Sequence, residues 1–386
     1  MRKFNGVYTS ELIATAPGTK WLFTNASTIV SADSGIVVED TAADTHIRVD
    51  GRINARFYGV LSEADNATVT IEKRASLTAE AGVGMVGDHL TLMNFGEIHS
   101  SNYGLGVSGS INSLYNAGII DANVGISAEV DNDSTIVNDR SGLINGQFSG
   151  ISVYASGGTD TSIINRGTII SADYAVVGPS GDNRIINRGS MTGDIWLQDG
   201  DDVFDGRRGT LKGVIEGGGG NDTFIIDDAA TGIIELLGGG TDTVRSSAGF
   251  QLTSAFEHLF LTGKRNIDGR GNGGNNLITG NLGDNDLVGS GGLDVISGGA
   301  GDDRLFGGMQ QDVFVFGTDF AHDKIMNFQN GVDLINIDEW DAASNFQRVL
   351  RHTTEKNGNL IIRAGHDQLT IEGMIKAELD AGDFVV

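Results

Sequence analysis

The sequence predicts an all-β fold, a right-handed parallel β-helix, from two repeats and one feature of composition. A period near 22 residues runs through the first half of the chain, and a period of nine runs through residues 271–314. The chain has 58 glycines and two prolines, which favours tight turns between short strands over flexible linkers. Because one short coil cannot bury its own apolar face, neighbouring coils must supply the core.

The longer period is marked by an asparagine, with glycine two residues later and an apolar residue four residues later. Its clearest copies are Asn94-Phe-Gly-Glu-Ile98, Asn116-Ala-Gly-Ile-Ile120, Asn165-Arg-Gly-Thr-Ile169 and Asn187-Arg-Gly-Ser-Met191, with a stretched copy at Asn138. The steps between these asparagines are 22, 22, 27 and 22 residues. We expect the asparagines to stack at one corner, where each amide can bond the coils above and below.

The shorter period holds three columns of residues in register. Glycine opens each unit, an acid or amide follows five residues later, and a large apolar residue follows two residues after that. The glycines are Gly271, Gly280, Gly289, Gly298 and Gly307, the polar residues Asn276, Asn285, Asp294, Asp303 and Asp312, and the apolar residues Ile278, Leu287, Ile296, Leu305 and Phe314. A flexible glycine-rich linker lacks such apolar periodicity. Glycine permits a tight turn that presents backbone carbonyls beside the carboxylate, a ligand set suited to Ca²⁺.

This order resembles the GGxGxDxUx nonapeptide of the RTX family, the hemolysin-type calcium-binding repeat. The resemblance implies that the β-helix continues into a calcium-binding parallel β-roll with two nonapeptides per coil. Each Ca²⁺ would then lie between one polar residue and its counterpart two units later, which pairs Asp294 with Asp312, Asn285 with Asp303, and Asn276 with Asp294. It also implies carbonyl ligands from Gly289, Gly291, Gly298, Ala300, Gly307 and Met309. Asn276 and Asn285 carry no charge, so we expect weaker sites there, and Gln310 replaces the glycine usual at the fourth place.

Three acids upstream lie in similar surroundings. Asp222 lies in Gly217-Gly-Gly-Gly-Asn-Asp-Thr-Phe-Ile225, a full nonapeptide, whereas Asp202 and Asp242 lie in partial copies. The three acids are spaced by 20 residues, which indicates one per coil of a wider helix. They are either isolated Ca²⁺ sites or ordinary turns at the corners of coils.

Residues 317–386 resemble the C-terminal flank of RTX proteins. That flank caps the roll and carries an uncleaved signal for type I secretion machinery, and the ending Asp383-Phe-Val-Val386 fits such a signal. Asp323 is a further candidate ligand beside the roll. The alternative is a strand-rich cap with no role in export. Helical segments are predicted only near Ala342–Leu350 and Met374–Leu379.

We therefore predict four segments. These are a β-helix over 1–195, wider coils with partial calcium motifs over 196–262, the nonapeptide roll over 263–316 and the flank over 317–386.

The composition excludes several classes of partner. The formal net charge of −25 argues against binding to nucleic acid or anionic membranes, which need a basic face. No apolar run approaches the roughly 20 residues of a membrane span. The first residues lack the apolar core of a cleaved signal peptide, so we expect either a cytoplasmic protein or export by another route. The resemblance to the RTX family implies a secreted, extracellular or cell-surface protein.

No catalytic motif supports an enzyme. The sequence lacks the His-Glu-x-x-His motif of zinc proteases and the Gly-x-Ser-x-Gly elbow of serine hydrolases. The densest candidate for a polysaccharide site is the sector formed by His46, Arg48, Arg52, Arg56 and Tyr58. Two functions stay open: a non-enzymatic surface, adhesion or matrix-associated protein, and a polysaccharide lyase or epimerase that uses the N-terminal β-helix. Extracellular polysaccharide is a candidate partner in both cases.

Overall fold

The computed structural model describes residues 1–131, 133–155, 159–340 and 346–385. It confirms the predicted parallel β-helix and roll. The chain divides into two compact units, Met1–Gly220 with Thr231–Ile234, and Asn221–Ala230 with Glu235–Val386. The finer division into four segments stays a prediction.

The strands of the first unit are Arg2–Tyr8, Leu12–Ala14, Lys20–Ser31, Ile36–Val38, His46–Val49, Arg52–Ala55, Tyr58–Ser62, Thr68–Ile71, Ser76–Ala79, Ala81–Val86, Leu90–Asn94, Glu97–Ser100, Tyr103–Gly109, Ile111–Asn116, Ile119–Val130, Ser134–Asn138, Leu143–Ala155, Thr161–Asn165, Thr168–Val177, Arg184–Asn187, Ser190–Asp199, Val203–Asp205, Thr210–Lys212, Val214–Gly219 and Gly232–Ile234. They lie in three parallel stacks. Asn94 pairs with Asn116 and Asn116 with Asn138, so one sequence repeat makes one coil. The apolar residue that follows each asparagine by four, such as Ile98 or Ile120, is fully buried between the stacks.

A column of glycines forms one corner of these coils. Its members are Gly59, Gly82, Gly104, Gly125 and Gly150. A Cβ atom on Gly104 would lie 2.1 Å from Cγ2 of Ile120 and 2.7 Å from the carbonyl oxygen of Gly125. The core isoleucine and the backbone of the next coil therefore leave no room for a side chain at this corner.

The predicted asparagine stack is confirmed. Each side-chain amide donates to the amide oxygen of the next asparagine, through Asn94, Asn116, Asn138, Asn165 and Asn187, at 2.8–2.9 Å. These side chains are buried, and further bonds to backbone carbonyls satisfy them. A buried amide ladder of this kind fixes the register of adjacent coils, because a shift by one residue would leave polar groups unpaired.

The strands of the second unit are Thr223–Ile226, Thr243–Ser246, Phe250–Gln251, His258–Leu261, Gly269–Arg270, Leu277–Thr279, Asp286–Gly291, Val295–Ser297, Arg304–Met309, Val313–Val315, His322–Ile325, Leu334–Asn336, Thr353–Lys356, Asn359–Ala364, Asp367–Ile371 and Phe384–Val385. Within the nonapeptides, Ile278 pairs with Ile296 and Leu287 with Leu305. This register of 18 residues places two nonapeptides in each coil and sends alternate units to opposite sides of the roll.

The end of the chain closes the roll on both sides. Asp367–Ile371 adds in parallel to His322–Ile325 and leads an antiparallel meander with Asn359–Ala364 and Thr353–Lys356. Phe384–Val385 adds in parallel to Leu334–Asn336. The last strand of the described chain is thus part of the stack.

Helix is confined to the C-terminal region of the described residues. An α-helix covers Phe346–His352, while residues 341–345 of the helix predicted near Ala342–Leu350 lie outside the described part. The helix predicted at Met374–Leu379 is wrong, since only the 3-10 turn Lys376–Glu378 forms there. Extended residues at Ile375 and Leu379 terminate that turn on both sides. A second 3-10 turn covers Ala381–Asp383. Across the described ranges, the helices are too short or too polar to cross a bilayer.

Replacing Asn138 by alanine tests the amide ladder. The change leaves the amide of Asn116 without its acceptor and the oxygen of Asn165 without its donor in a buried site. We expect a loss of about 2–4 kcal/mol in the free energy of unfolding, measured by urea denaturation followed by circular dichroism. Asn54→Ala, at an exposed position of Arg52–Ala55, is the control and should cost little. Equal losses in both variants would contradict a structural role for the ladder.

Candidate metal centre

The turns of the last three nonapeptides are built on a backbone conformation that favours glycine. Gly292 and Gly301, at the fourth place of their units, have φ of +106° and +123°. Gln310 occupies the same place in the last unit and still adopts φ of +73°. Its side chain accepts a hydrogen bond from the backbone N–H of Gly292 at 3.1 Å. Gln310 therefore keeps the turn although it is not glycine, and its side chain adds a contact to the preceding coil.

The polar residues of the repeat form two ladders, one on each side of the roll. On one side the backbone N–H of Asn276 donates to Asp294, Asp294 to Asp312, and Asp312 to Asp333, at 2.8–3.0 Å. On the other side Asn285 donates to Asp303 and Asp303 to Asp323, at 2.7 and 3.0 Å. In every case one carboxylate oxygen, Oδ1, bonds the backbone of the preceding coil. The structure thus brings together the three pairs that the resemblance implies.

The second oxygen of these carboxylates has no partner. Oδ2 of each of four buried acids, Asp294, Asp303, Asp312 and Asp323, accepts no hydrogen bond within the described chain. A buried carboxylate oxygen without a partner is costly, and native structures rarely keep several in a row. A ligand is the ordinary explanation for such a set.

The orphaned oxygens point toward the opening glycines of their own units. A Cβ atom on Gly289 would lie 2.2 Å from Oδ2 of Asp294 and 2.5 Å from the carbonyl oxygen of Gly307. In the same way, a Cβ atom on Gly298 would collide with Oδ2 of Asp303, and a Cβ atom on Gly307 would collide with Oδ2 of Asp312. Carboxylate and carbonyl oxygens therefore converge where a side chain would otherwise lie. The residues present fit a hard cation that takes oxygen ligands.

Without a bound cation, burial makes the charged form of these acids unfavourable. It raises the pKa of Asp294 and of Asp303 to about 7, of Asp312 to about 6 and of Asp323 to about 9. Neighbouring carboxylates raise these pKa values further, while the backbone N–H bonds oppose the rise. A ladder of this kind needs positive charge to remain ionised.

The predicted carbonyl ligands fall into two groups. The carbonyl oxygens of Gly289, Gly298 and Gly307 face the opening glycine of the unit two places earlier, beside the orphaned or amide oxygen of that unit. Gly291 and Met309 pair at the ends of adjacent strands, and Ala300 lies in a turn, bonded through its N–H to Asn281. For those three, a role as carbonyl ligands stays a prediction.

Two upstream acids meet a third that the sequence analysis missed. In the second unit, the ligand atoms of Asp222, Glu235 and Asp242 all lie within 4.8 Å of one another. The N–H of Asp222 donates to Asp242 at 2.8 Å, as in the nonapeptide ladders. In the first unit, Asp202 is buried and accepts the N–H of Asn183 at 2.6 Å.

Two further ladder members were also missed. Glu257 accepts the N–H of Asp242 at 2.7 Å, and Asp333 accepts those of Asp312 and Gln329. Both precede a fully buried apolar residue by two positions, Leu259 and Ile335. That offset, rather than the nine-residue spacing, was the signal that could have found them.

The residues of the candidate polysaccharide sector make separate contacts in the first unit. Arg48 forms an ion pair with Glu72, and the guanidinium of Arg56 lies over the ring of Phe57, 4.9 Å from its centroid. Of His46, Arg48, Arg52, Arg56 and Tyr58, only Tyr58 lines a surface groove of the first unit. A role of this sector in polysaccharide binding stays a prediction.

Asp205 is a buried acid of a different kind. Arg188 and Arg207 donate to its Oδ2 at 2.6 and 2.7 Å. Burial alone raises the pKa of Asp205, but the bonds from Arg207 and Arg188 outweigh it and hold that pKa well below the usual range. At Asp205, two arginines thus satisfy a buried carboxylate without any cation from outside.

Comparison with known proteins agrees with the ladder geometry. The family model of the RTX calcium-binding nonapeptide repeat matches in four copies, over residues 214–225, 270–295 and 279–314. The chain is therefore a protein with RTX calcium-binding nonapeptide repeats, as the sequence predicts.

Other similarities are weak. No curated protein matches the chain. Among solved structures, the extracellular lipase LipA from Serratia marcescens is similar at 19% identity and a TM-score of 0.22, over 57% of this chain and 45% of that chain. The match thus spans less than half of the lipase, and a TM-score this low supports no conclusion about function.

Acid should remove the contribution of Asp205. Its folded pKa lies below the unfolded value near 4, so the stabilisation is present above pH 4 and is lost as pH falls toward the folded value. We expect Asp205→Asn to cost about 3 kcal/mol at pH 7, and the difference from wild type to shrink by pH 2.5, measured by urea unfolding. Asp173→Asn, at an exposed position, should change little at either pH. A difference independent of pH would contradict the role of the ionised form.

Proposed function

We propose that this chain is a secreted protein whose nonapeptide roll binds Ca²⁺ and folds upon binding. In this proposal the first unit is a non-enzymatic surface, adhesion or matrix-associated module. The observation that carries the proposal is the set of buried Oδ2 atoms of Asp294, Asp303, Asp312 and Asp323, which have no hydrogen-bond partner within the described residues. The carbonyl oxygen of Gly307 lies beside Oδ2 of Asp294, and those of Gly289 and Gly298 lie beside the side-chain oxygens of Asn276 and Asn285.

Bound Ca²⁺ supplies the positive charge that these acids lack. Asp294, Asp303 and Asp312 would hold it together with the carbonyls of Gly289, Gly298 and Gly307, while Asn276 and Asn285 offer neutral oxygens in the first coils. Asp323 closes the second ladder as a further carboxylate ligand. Gly291, Ala300 and Met309 remain proposed carbonyl ligands on the resemblance alone.

The upstream acids are proposed as separate sites. Asp222 and Asp242 with Glu235 offer three carboxylates at one place, which favours a cation there over an ordinary turn. Asp202 is proposed as a further Ca²⁺ ligand because it lies in a partial repeat and accepts a buried hydrogen bond from the backbone N–H of Asn183.

Calcium dependence gives the proposal a link to export. Extracellular modules bind Ca²⁺ at roughly 10⁻⁴–10⁻³ M, far above the expected cytosolic concentration. The roll would stay unfolded inside the cell because its acids repel one another, and it would fold outside. The flank over residues 317–386 serves in this proposal as the signal for type I secretion machinery.

The alternative of a polysaccharide lyase or epimerase has one observation in its favour. A groove on the first unit is lined by Tyr58, Tyr103 and Tyr154. Its described lining contains no Arg, Lys or His that would neutralise a substrate carboxylate. Burial and the bond to Tyr58 raise the pKa of Tyr103, so its phenol is a poor base. Binding without cleavage is therefore the better-supported role.

Calcium removal tests the proposal directly. We expect a chelator to abolish the β signal of residues 260–386 in circular dichroism while residues 1–190 stay folded, because the buried acids proposed as ligands all lie between Asp202 and Asp323. Hydrogen exchange of the full chain assigns the change to residues. Mg²⁺ at the same concentration is the control and should not restore the roll, since it demands a tighter octahedral site. Identical spectra with and without Ca²⁺ would refute the proposal.

Asp303→Asn separates metal binding from packing. The substitution keeps the size of the side chain but removes one charge, so the Ca²⁺ concentration at half-folding should rise on the order of tenfold. Without Ca²⁺ the variant should be no less stable than wild type, because a buried charge has been removed.

The matched control is Asp286→Asn in the same roll. Asp286 is 43% exposed and pairs with Arg304, an interaction that contributes little at a surface. The Ca²⁺ titration of this variant should follow wild type. If both variants shift equally, the effect is one of general charge and the ladder is not the ligand.

A further inference from the structure

A shallow groove of about 460 Å³ lies on the outer surface of the first unit. Its floor is a row of small residues that the strand register places side by side. Gly84 pairs with Gly106, and Gly106 with Ser127. The groove crosses five neighbouring strands, from Tyr58–Ser62 to Leu143–Ala155, which corresponds to roughly 19 Å along the stack.

Two tyrosines form one wall of the groove and depend on the glycine floor. A Cβ atom on Gly84 would lie 2.7 Å from Cε1 of Tyr58, and one on Gly106 would lie 2.3 Å from Cε2 of Tyr103. The hydroxyl of Tyr103 donates to that of Tyr58 at 3.1 Å. Because Tyr58 accepts this bond, its own hydroxyl proton is available to a ligand.

The opposite wall is a second row of outward side chains. Val86 pairs with Ser108, Ser108 with Glu129, and Glu129 with Tyr154. The hydroxyl of Ser108 donates to Oε2 of Glu129 at 3.4 Å. Tyr154 is 54% exposed at the end of the row, so its ring offers an aromatic face to solvent.

These walls suit a ligand that is long, with apolar faces and a polar edge. Sugar rings have that character, since their C–H faces pack on aromatic rings while their hydroxyls bond phenol, serine and carboxylate groups. The volume lies in the range of small-ligand sites. A flat apolar protein surface would find few contacts on a floor of glycine and serine.

Charge decides which class of glycan fits. The groove carries Glu129 and, among its described lining residues, no basic side chain. The whole chain has a net charge of −25, which repels acidic polymers. We propose that this groove binds an uncharged oligosaccharide chain that lies along the stack of coils, from the Tyr58–Tyr103 pair to Tyr154.

This site deepens the proposed surface or matrix role, on which its biological meaning rests. Binding itself depends on the first unit and not on the calcium ladders. The two proposals can therefore fail separately.

The experiment is calorimetric titration of the full chain in Ca²⁺ with cellohexaose, laminarihexaose and maltohexaose, and with hexagalacturonate as the charged comparison. We expect at least one uncharged hexasaccharide to bind and the galacturonate not to bind. Tyr154→Ala should weaken binding about tenfold through the lost aromatic contact. Ser127→Trp, which fills the groove, should abolish it.

Phe148→Ala is the matched control, because Phe148 is 55% exposed on the same strand as Tyr154 and lies outside the groove lining. It should leave affinity unchanged, and circular dichroism should show that all variants keep the β-helix. No binding of any uncharged hexasaccharide, preferred binding of galacturonate, or wild-type affinity in both groove variants would each overturn the proposal. Binding that persists when Ca²⁺ has no effect on the roll would support the groove while refuting calcium-dependent folding.

Discussion

The carboxylate ladder is the interaction on which the second unit depends. Four of its acids, Asp294, Asp303, Asp312 and Asp323, use Oδ1 to bond the backbone of the preceding coil and leave Oδ2 without a partner among the described residues. The first bond holds the coils in register, and the second oxygen creates a charge that packing alone cannot compensate. The same side chain therefore both holds adjacent coils in register and requires a cation. The roll cannot have this register without also having the requirement for a cation.

The coils that carry the asparagine column in the first unit solve the same stacking problem without charge. Its coils are joined by buried amides, which both donate and accept and therefore need nothing from outside. The contrast between Asn138 and Asp303 explains why one unit is expected to be stable alone and the other conditional. A change of one atom, from amide nitrogen to carboxylate oxygen, separates the two behaviours.

Much of this architecture could be predicted from the sequence, because the same short pattern recurs in many coils and each recurrence supports the same assignment. The asparagine column and the nine-residue acid column could be read directly, and both lie where expected. Glu257 and Asp333 were missed because the coils around them are not multiples of nine residues, although the apolar residue two places on was present. The tyrosine groove could not be predicted, because Tyr58, Gly106 and Tyr154 come from three coils of different length and meet only through strand register.

The ladder bonds all run in one direction along the chain. In each, the backbone of an earlier coil donates to a side chain that comes later, and the final acceptors are Asp323 and Asp333, beyond the last nonapeptide. A chain that emerges amino end first therefore presents every coil before the group that completes it. Because each acceptor lies in the coil that follows its donor, Asp323 and Asp333 form the base on which the preceding coils of both ladders can order in turn.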